Sequence, residues 1–357
     1  MSTPPRIAVA GAGVAGLCAA EILQARGCDV TLFDPLLTDE GSGAPNASAL
    51  AGGMLAPYAE IEHMPPEWIA AGLAGITFWE AFSQEHQIGF VKKGSFLVAH
   101  EGDRYLLRRF EAHLPPETRS YRPVVDIEPA LAGLCSSGLF LPEEAHLVPL
   151  NALEALRESI RKGGGRLETC AVTPEALACD YDYVLDCRGM GASGDVKDLR
   201  GVKGEIVIVR NSEFSLERPV RLMHPRYPLY IVPRPDHVFM IGATVIESGE
   251  AAAEGSGAGT VSVRSALELL SALYSLHTSF GEARILQILS GVRPAYSDNL
   301  PHIRIEDRIV RCNGLFRHGF LLSPVMGQCV ADYMTGVENR FSALFMQTGN
   351  KKERAAL

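Results

Sequence analysis

The chain has 357 residues, 47% of them hydrophobic and 21% charged, with a formal net charge of −9. That balance fits a globular protein of two lobes rather than a disordered or repetitive one, and it offers no electrostatic pull toward phosphate backbones or anionic lipid, which argues against nucleic acid as a partner. Eight cysteines with no C-x-x-C pair predict no metal site, the apolar runs are far short of the ~20 residues of a membrane span, and MSTPPR lacks the pattern of a secretory leader, so the expected location is cytoplasmic.

Arg6 to Ala10 reads as a strand, Gly11 to Gly16 (GAGVAG) as a turn of the form G-x-G-x-x-G, and Val14 to Arg26 as a helix closed by Gly27. CDVTLF (28 to 33) is a second strand and ends in Asp34, 18 positions beyond Gly16. Strand, glycine turn, helix, strand and acid in this order form a dinucleotide-binding unit, close to the ~20-residue spacing of that fingerprint. Gly11 permits the tight turn, Gly13 lets backbone approach a pyrophosphate, and Gly16 lets helix and strand pack closely, while the helix N-terminus favours the phosphate charge. A carboxylate at Asp34 suits ribose hydroxyls and disfavours a 2′-phosphate, which argues against NADP and leaves NAD or FAD.

Asn46 to Glu60 (NASALAGGMLAPYAE) is a run of small residues, consistent with backbone lying close to something flat or with an ordinary loop entering a helix. Pro66 to Gln84 has helical periodicity, with Trp68, Leu73, Ile76, Phe78, Trp79 and Phe82 on its apolar face. Phe90 to His100 predicts two short strands joined at Lys93-Gly94, Asp103 to His113 an amphipathic helix, and Pro142 to Pro149 a loop before a helix from Leu150 to Lys162. RLETCAV (166 to 172) and the start of DYVLDCRGMGAS (182 to 193) are further strands, the second returning the chain to the first sheet. From Gly204 onward GEIVIVR, PLYIVPR and HVFMIGATV predict a largely antiparallel sheet. Glu250 to Gly259 reads as a mobile small-residue loop, Val263 to His277 as a helix, and the segment after Pro324 as a last helix.

Taken together, VAGAGVAGLCAAEILQARGCDVTLFD, NASALAGGMLAP, LDCRGMGAS, LRGVKGEIVIV, YIVPRPDHVFMIGAT, SGVRPAYSDNLPHI and GLFRHGFLLSPVMG, in this order, resemble the D-amino-acid oxidase superfamily of FAD enzymes, and within it the glycine oxidase branch associated with thiamine biosynthesis. The resemblance covers nearly the whole chain. It implies an α/β fold, α+β overall, in which a Rossmann-like FAD-binding domain (1–85, 142–203 and 290–345) is interleaved with a substrate domain (86–141 and 204–289) built on a largely antiparallel mixed sheet, followed by a tail (346–357). It also implies noncovalent FAD held by Gly11, Gly13, Val14, Ala15, Gly16, Asp34, Pro35, Ala47, Ser48, Gly52, Gly53, Met54, Val172, Gly189, His318, Gly319, Phe320 and Leu321. His318 departs from the family, which often carries Asn there, and the 247–259 loop has no evident counterpart.

The activity implied is removal of a hydride from the α-carbon of glycine or another small amino acid or amine, with O2 or another electron acceptor completing the turnover. Because the flavin carries the chemistry, the protein's task is orientation, and an arginine fork is well suited to hold a substrate carboxylate. Arg293 and Arg317 are the candidate arginines, Tyr230 offers a hydroxyl, and the Met54 carbonyl is placed to accept from the amine; no residue is expected to act as acid or base. On their residues alone, an Arg before Pro at a strand end also suits a surface ion pair, and a strand Tyr also suits core. A dehydrogenase of the same fold, an NAD enzyme, a flavin-binding protein without turnover and a tRNA-modifying amine oxidase domain are the competing readings. Oligomeric state, a homo-oligomer included, stays open.

Overall fold

The structure is a computed structural model and describes residues 4–37, 46–226, 228–247 and 260–347. Its first unit is built as the residues dictate. Ile7 to Ala10 are fully buried, as a strand covered on both faces requires, and Arg6–Ala10 pairs in parallel with Asp29–Phe33 from Arg6↔Asp29 to Ala10↔Phe33. Helix α1 (Val14–Ala25) makes the crossover, and Gly27 follows it with φ +83°, where a side chain would be strained.

On the other side of Arg6–Ala10 lies Tyr183–Asp186, also parallel, so the chain does return to its first sheet. That sheet has seven strands in the order Met346–Gln347, His302–Glu306, Ile309–Asn313, Tyr183–Asp186, Arg6–Ala10, Asp29–Phe33 and Arg166–Glu168. A second sheet has eight, in the order Arg284–Ala295, Arg200–Arg210, Val238–Gly242, Leu229–Arg234, Val220–Leu222, Ser95–Val98, Ser137–Leu141 and Tyr121–Pro123. All its pairings are antiparallel except Val220–Leu222 with Ser95–Val98.

Among the described residues five more helices of eight residues or longer pack on these sheets: α2 (Ile69–Phe82), α3 (Arg104–Glu111), α4 (Pro149–Lys162), α5 (Val263–Leu276) and α6 (Gly319–Thr335). One apolar core joins α1, α2, α4 and α6 to the seven-stranded sheet; another joins α5 to the eight-stranded sheet. Among the described residues no helix is long and apolar enough to cross a membrane.

Four expectations are corrected. Phe90 to His100 is not a pair of strands: Val91 makes an isolated bridge to His146 while Ser95–Val98 joins the eight-stranded sheet, so the two halves part company at Gly94. The loop before α4 contains a short strand, Ala145–His146, paired with Met54–Leu55. The strand in RLETCAV stops at Glu168. The last helix begins at Gly319, not after Pro324, and the proline lies inside it. The small-residue loop foreseen at 250–259 lies outside the described residues.

Candidate active site

A cavity of about 510 Å³ runs between the two sheets. At one end is the glycine turn. A Cβ on Gly11 would stand 2.5 Å from the Cys187 carbonyl oxygen, and one on Gly16 only 1.9 Å from the Gly11 carbonyl oxygen, so backbone packs on backbone here. Asp34 ties this turn together by accepting from the Ala12 N–H at 2.7 Å and the Leu36 N–H at 2.8 Å. The Ser48 hydroxyl accepts from the Val14 N–H at 3.0 Å, drawing the small-residue run against α1.

Of the residues expected to hold a cofactor, Gly11, Gly13, Val14, Ala15, Asp34, Pro35, Ala47, Ser48, Gly52, Gly53, Met54, Val172, Gly189, His318, Gly319, Phe320 and Leu321 all line this one cavity. Gly16 does not; it stands behind the turn, against Gly11. Arg293, Arg317, Tyr230 and Met54, the expected substrate residues, line the same space. Cys170, Cys187 and Cys312 also reach it, and the Cys187 thiol is pushed up by its contact with Cys312 and by burial, which makes it a poor nucleophile.

The far end is a cluster of charges in a buried setting. Tyr230, on Leu229–Arg234, donates its hydroxyl hydrogen to Glu60 and accepts from Arg317 Nη2 at 3.1 Å. Arg317 Nε stands 3.1 Å from Glu60 Oε2. Burial would push the Glu60 carboxyl up, but Arg317 and Arg221 hold it at about 2. Arg221 is itself engaged, donating to the Ala59 carbonyl at 2.5 Å and to Glu62 at 2.7 Å. The Tyr230 hydroxyl is pushed up by burial, so it stays neutral. Burial also lowers His63, and it lowers His318 to about 4. The Nε2 of His318, in the cavity wall, is buried without a hydrogen-bond partner among the described residues.

Arg293 differs from its neighbours. It enters from Arg284–Ala295, and its guanidinium lies against Gly204 of the adjacent strand, where a Cβ would come within 2.3 Å of it. It donates to the Thr244 carbonyl, at 3.2 Å; among the described residues it has no carboxylate partner. Burial, with repulsion from Arg317, lowers it to about 10, which still leaves it charged at neutral pH.

Glu60 and Gly204 were not singled out from the sequence. The signal for Glu60 was present: it is the first charged residue after the uncharged run Asn46 to Ala59. Nothing local distinguishes Gly204, whose role depends on a side chain from another strand.

The FAD dependent oxidoreductase family (DAO) matches residues 6–333 of this sequence. The chain belongs to that family. DAO members similar to it include a Rhizobium etli protein named for thiamine biosynthesis, the oxidoreductase ThiO, 43% identical over 91% of this chain and 95% of that one. The glycine oxidase of Geobacillus kaustophilus is 26% identical, with 94% of each chain covered. The crystal structure of a glycine oxidase from Geobacillus kaustophilus superposes with a TM-score of 0.80 at 24% identity, covering 97% of this chain and 99% of that one, and so shares its fold.

The cavity fits the cofactor of the DAO family. Its volume suits a large ligand, and its glycine turn leaves no room for side chains. The helices at its two ends, α1 and α6, begin at Gly13 and His318 with no cap from their own N-cap side chains, so the N–H groups of their first turns, apart from that of Val14, which Ser48 accepts, suit anionic or polar ligand atoms. The chain is an FAD-dependent oxidoreductase.

Proposed function

We propose that this enzyme oxidises glycine, or an amino acid or amine of similar size, at the α-carbon, giving an imine that water converts to an oxo acid and ammonia. The observation that carries this is Arg293: a half-buried guanidinium, facing the cavity, with no carboxylate to pair with among the described residues. Leaving a charge in that state is costly, and a substrate carboxylate relieves the cost with charge-assisted hydrogen bonds. The names of the relatives, ThiO and glycine oxidase, support a small amino-acid substrate.

Bound noncovalently, FAD supplies the hydride acceptor. The chain supplies placement. Arg293 holds the carboxylate, the Met54 carbonyl accepts from the amine, and Tyr230 with Arg317 forms the wall beside them. Gly11, Gly13, Val14, Ala15, Asp34, Pro35, Ala47, Ser48, Gly52, Gly53, Val172, Gly189 and His318 to Leu321 hold the cofactor, with Gly16 shaping the turn from behind. The FAD-binding part is 1–85, 142–203 and 290–345 and the substrate part 86–141 and 204–289; strand memberships support this, with Arg200–Arg210 and Arg284–Ala295 running across two of the boundaries. Met346–Gln347, at the start of the proposed tail, adds an edge strand. O2 is the proposed acceptor and the cytoplasm the proposed location.

The test is anaerobic mixing of the yellow holoenzyme with glycine, sarcosine, D-alanine and, for contrast, 2-hydroxy acids. The amines are expected to bleach the flavin band, and reoxidation in air to yield H2O2. Bleaching by hydroxy acids alone would overturn the reading. Arg293→Ala is expected to keep FAD but raise KM for glycine by roughly 10- to 1,000-fold, the loss of about 1.5–4 kcal/mol of charged hydrogen bonding.

A further inference from the structure

Three guanidinium groups converge around Tyr230 and Glu60 at the substrate end of the cavity, and among the described residues two carboxylates face them. Arg221 is taken by Glu62 and Arg317 by Glu60, while Arg293 is left over. The surrounding titratable groups do not alter that balance. His63 and His318 are lowered by burial and Tyr230 is raised by it, so all three are neutral near pH 7. One positive charge therefore remains for a ligand. Glu60 itself lines the cavity, so a ligand bound at Arg293 has this carboxylate as part of its surroundings.

We propose that Glu60 is a specificity-determining residue: by occupying Arg317 it restricts the site to amino acids with a single carboxylate and rejects those with a second acidic group. The inference rests on the reading of Arg293 as the carboxylate anchor. A merely structural ion pair would hold Arg317 in place without affecting which ligands bind. In the proposed role, removing the charge of Glu60 and keeping its shape turns Arg317 into a second anion receptor in the same cavity. Like charge excludes and opposite charge admits, so the sign of one side chain sets the ligand class.

The experiment compares acetate with malonate, two non-reacting ligands differing by one carboxylate, by perturbation of the flavin spectrum of the holoenzyme. Oxidation of sarcosine and of iminodiacetate, which carries one carboxylate more, is compared alongside. Wild type is expected to bind acetate at least tenfold more tightly than malonate. Glu60→Gln is expected to move the malonate-to-acetate ratio at least tenfold toward malonate, and kcat/KM for iminodiacetate over sarcosine in the same direction. Glu60→Gln/Arg317→Gln should lose that gain, since the freed guanidinium is gone.

Wild type binding both ligands equally overturns the proposal without any variant. So does an unchanged ratio in Glu60→Gln that retains FAD, or a gain that persists in the double variant. Failure of the underlying reading looks different: acetate would then not bind wild type at all, or would bind Arg293→Ala equally well.

Discussion

Arg293, Arg317 and Tyr230 are separated widely in the chain yet share one wall of the cavity, and their neighbours decide what each can do. The Tyr230 hydroxyl gives its hydrogen to Glu60, and Arg317 is matched by the same carboxylate, 257 positions away in sequence. Motif resemblance made the three residues legible, but not that pairing, because no local pattern encodes a contact over such a separation. Glu144 sets the geometry from outside the cavity. It is fully buried and accepts from the Tyr58 and Ala59 N–H groups at 2.8 and 2.7 Å, fixing the backbone that carries Glu60. Burial raises its carboxyl to about 7, against an ordinary value of 4.5. The stability it gains by holding a proton is therefore complete below about pH 4.5 and lost as pH rises through about 7. Glu144→Gln, permanently neutral, is expected to gain in Tm relative to wild type between pH 5 and 8. A pH-independent difference in thermal melts would refute this.

Helix α6 owes its first turn to α2. Pro324 has no N–H to offer the Phe320 carbonyl four residues back, so that acceptor would be left open inside the protein. The Trp79 indole N–H fills the gap at 2.6 Å. Gly75, one turn earlier on α2, brings the two helices together so closely that a Cβ would lie 1.9 Å from the Leu321 carbonyl oxygen. The helical pattern in the sequence is strong after Pro324, and the donor that lets the helix begin before the proline comes from another element. Phe90 to His100 misleads in a similar way: its residues suit strands, but Val91 and Ser95–Val98 find partners in different places. Trp79→Phe keeps the ring and removes the donor. It is expected to cost about 1–3 kcal/mol, the penalty of an unpaired buried acceptor, read as a lowered midpoint in urea and earlier release of flavin fluorescence.

At the scale of the molecule, the first sheet was the most legible part, because strand, turn, helix and acid follow one another within a few dozen residues. The eight-stranded sheet was legible as antiparallel strands but not in its order, since Ser95–Val98 and Ser137–Leu141 enter it from far upstream. The cavity lies between the sheets and draws its walls from both, so ligand binding and folding are linked. Free FAD at 100 times its Kd is expected to stabilise the chain by about 2.7 kcal/mol, and a Tm independent of FAD concentration would contradict a cofactor that joins the two sheets. The contact between Arg293 and Gly204 bears on how such an enzyme could be redesigned. Because the guanidinium rests on bare backbone, a library built to widen the substrate range has to leave position 204 untouched. Diversity belongs instead at Met240, an apolar residue of the same cavity whose flexible side chain can be exchanged without touching the strand that carries the anchor.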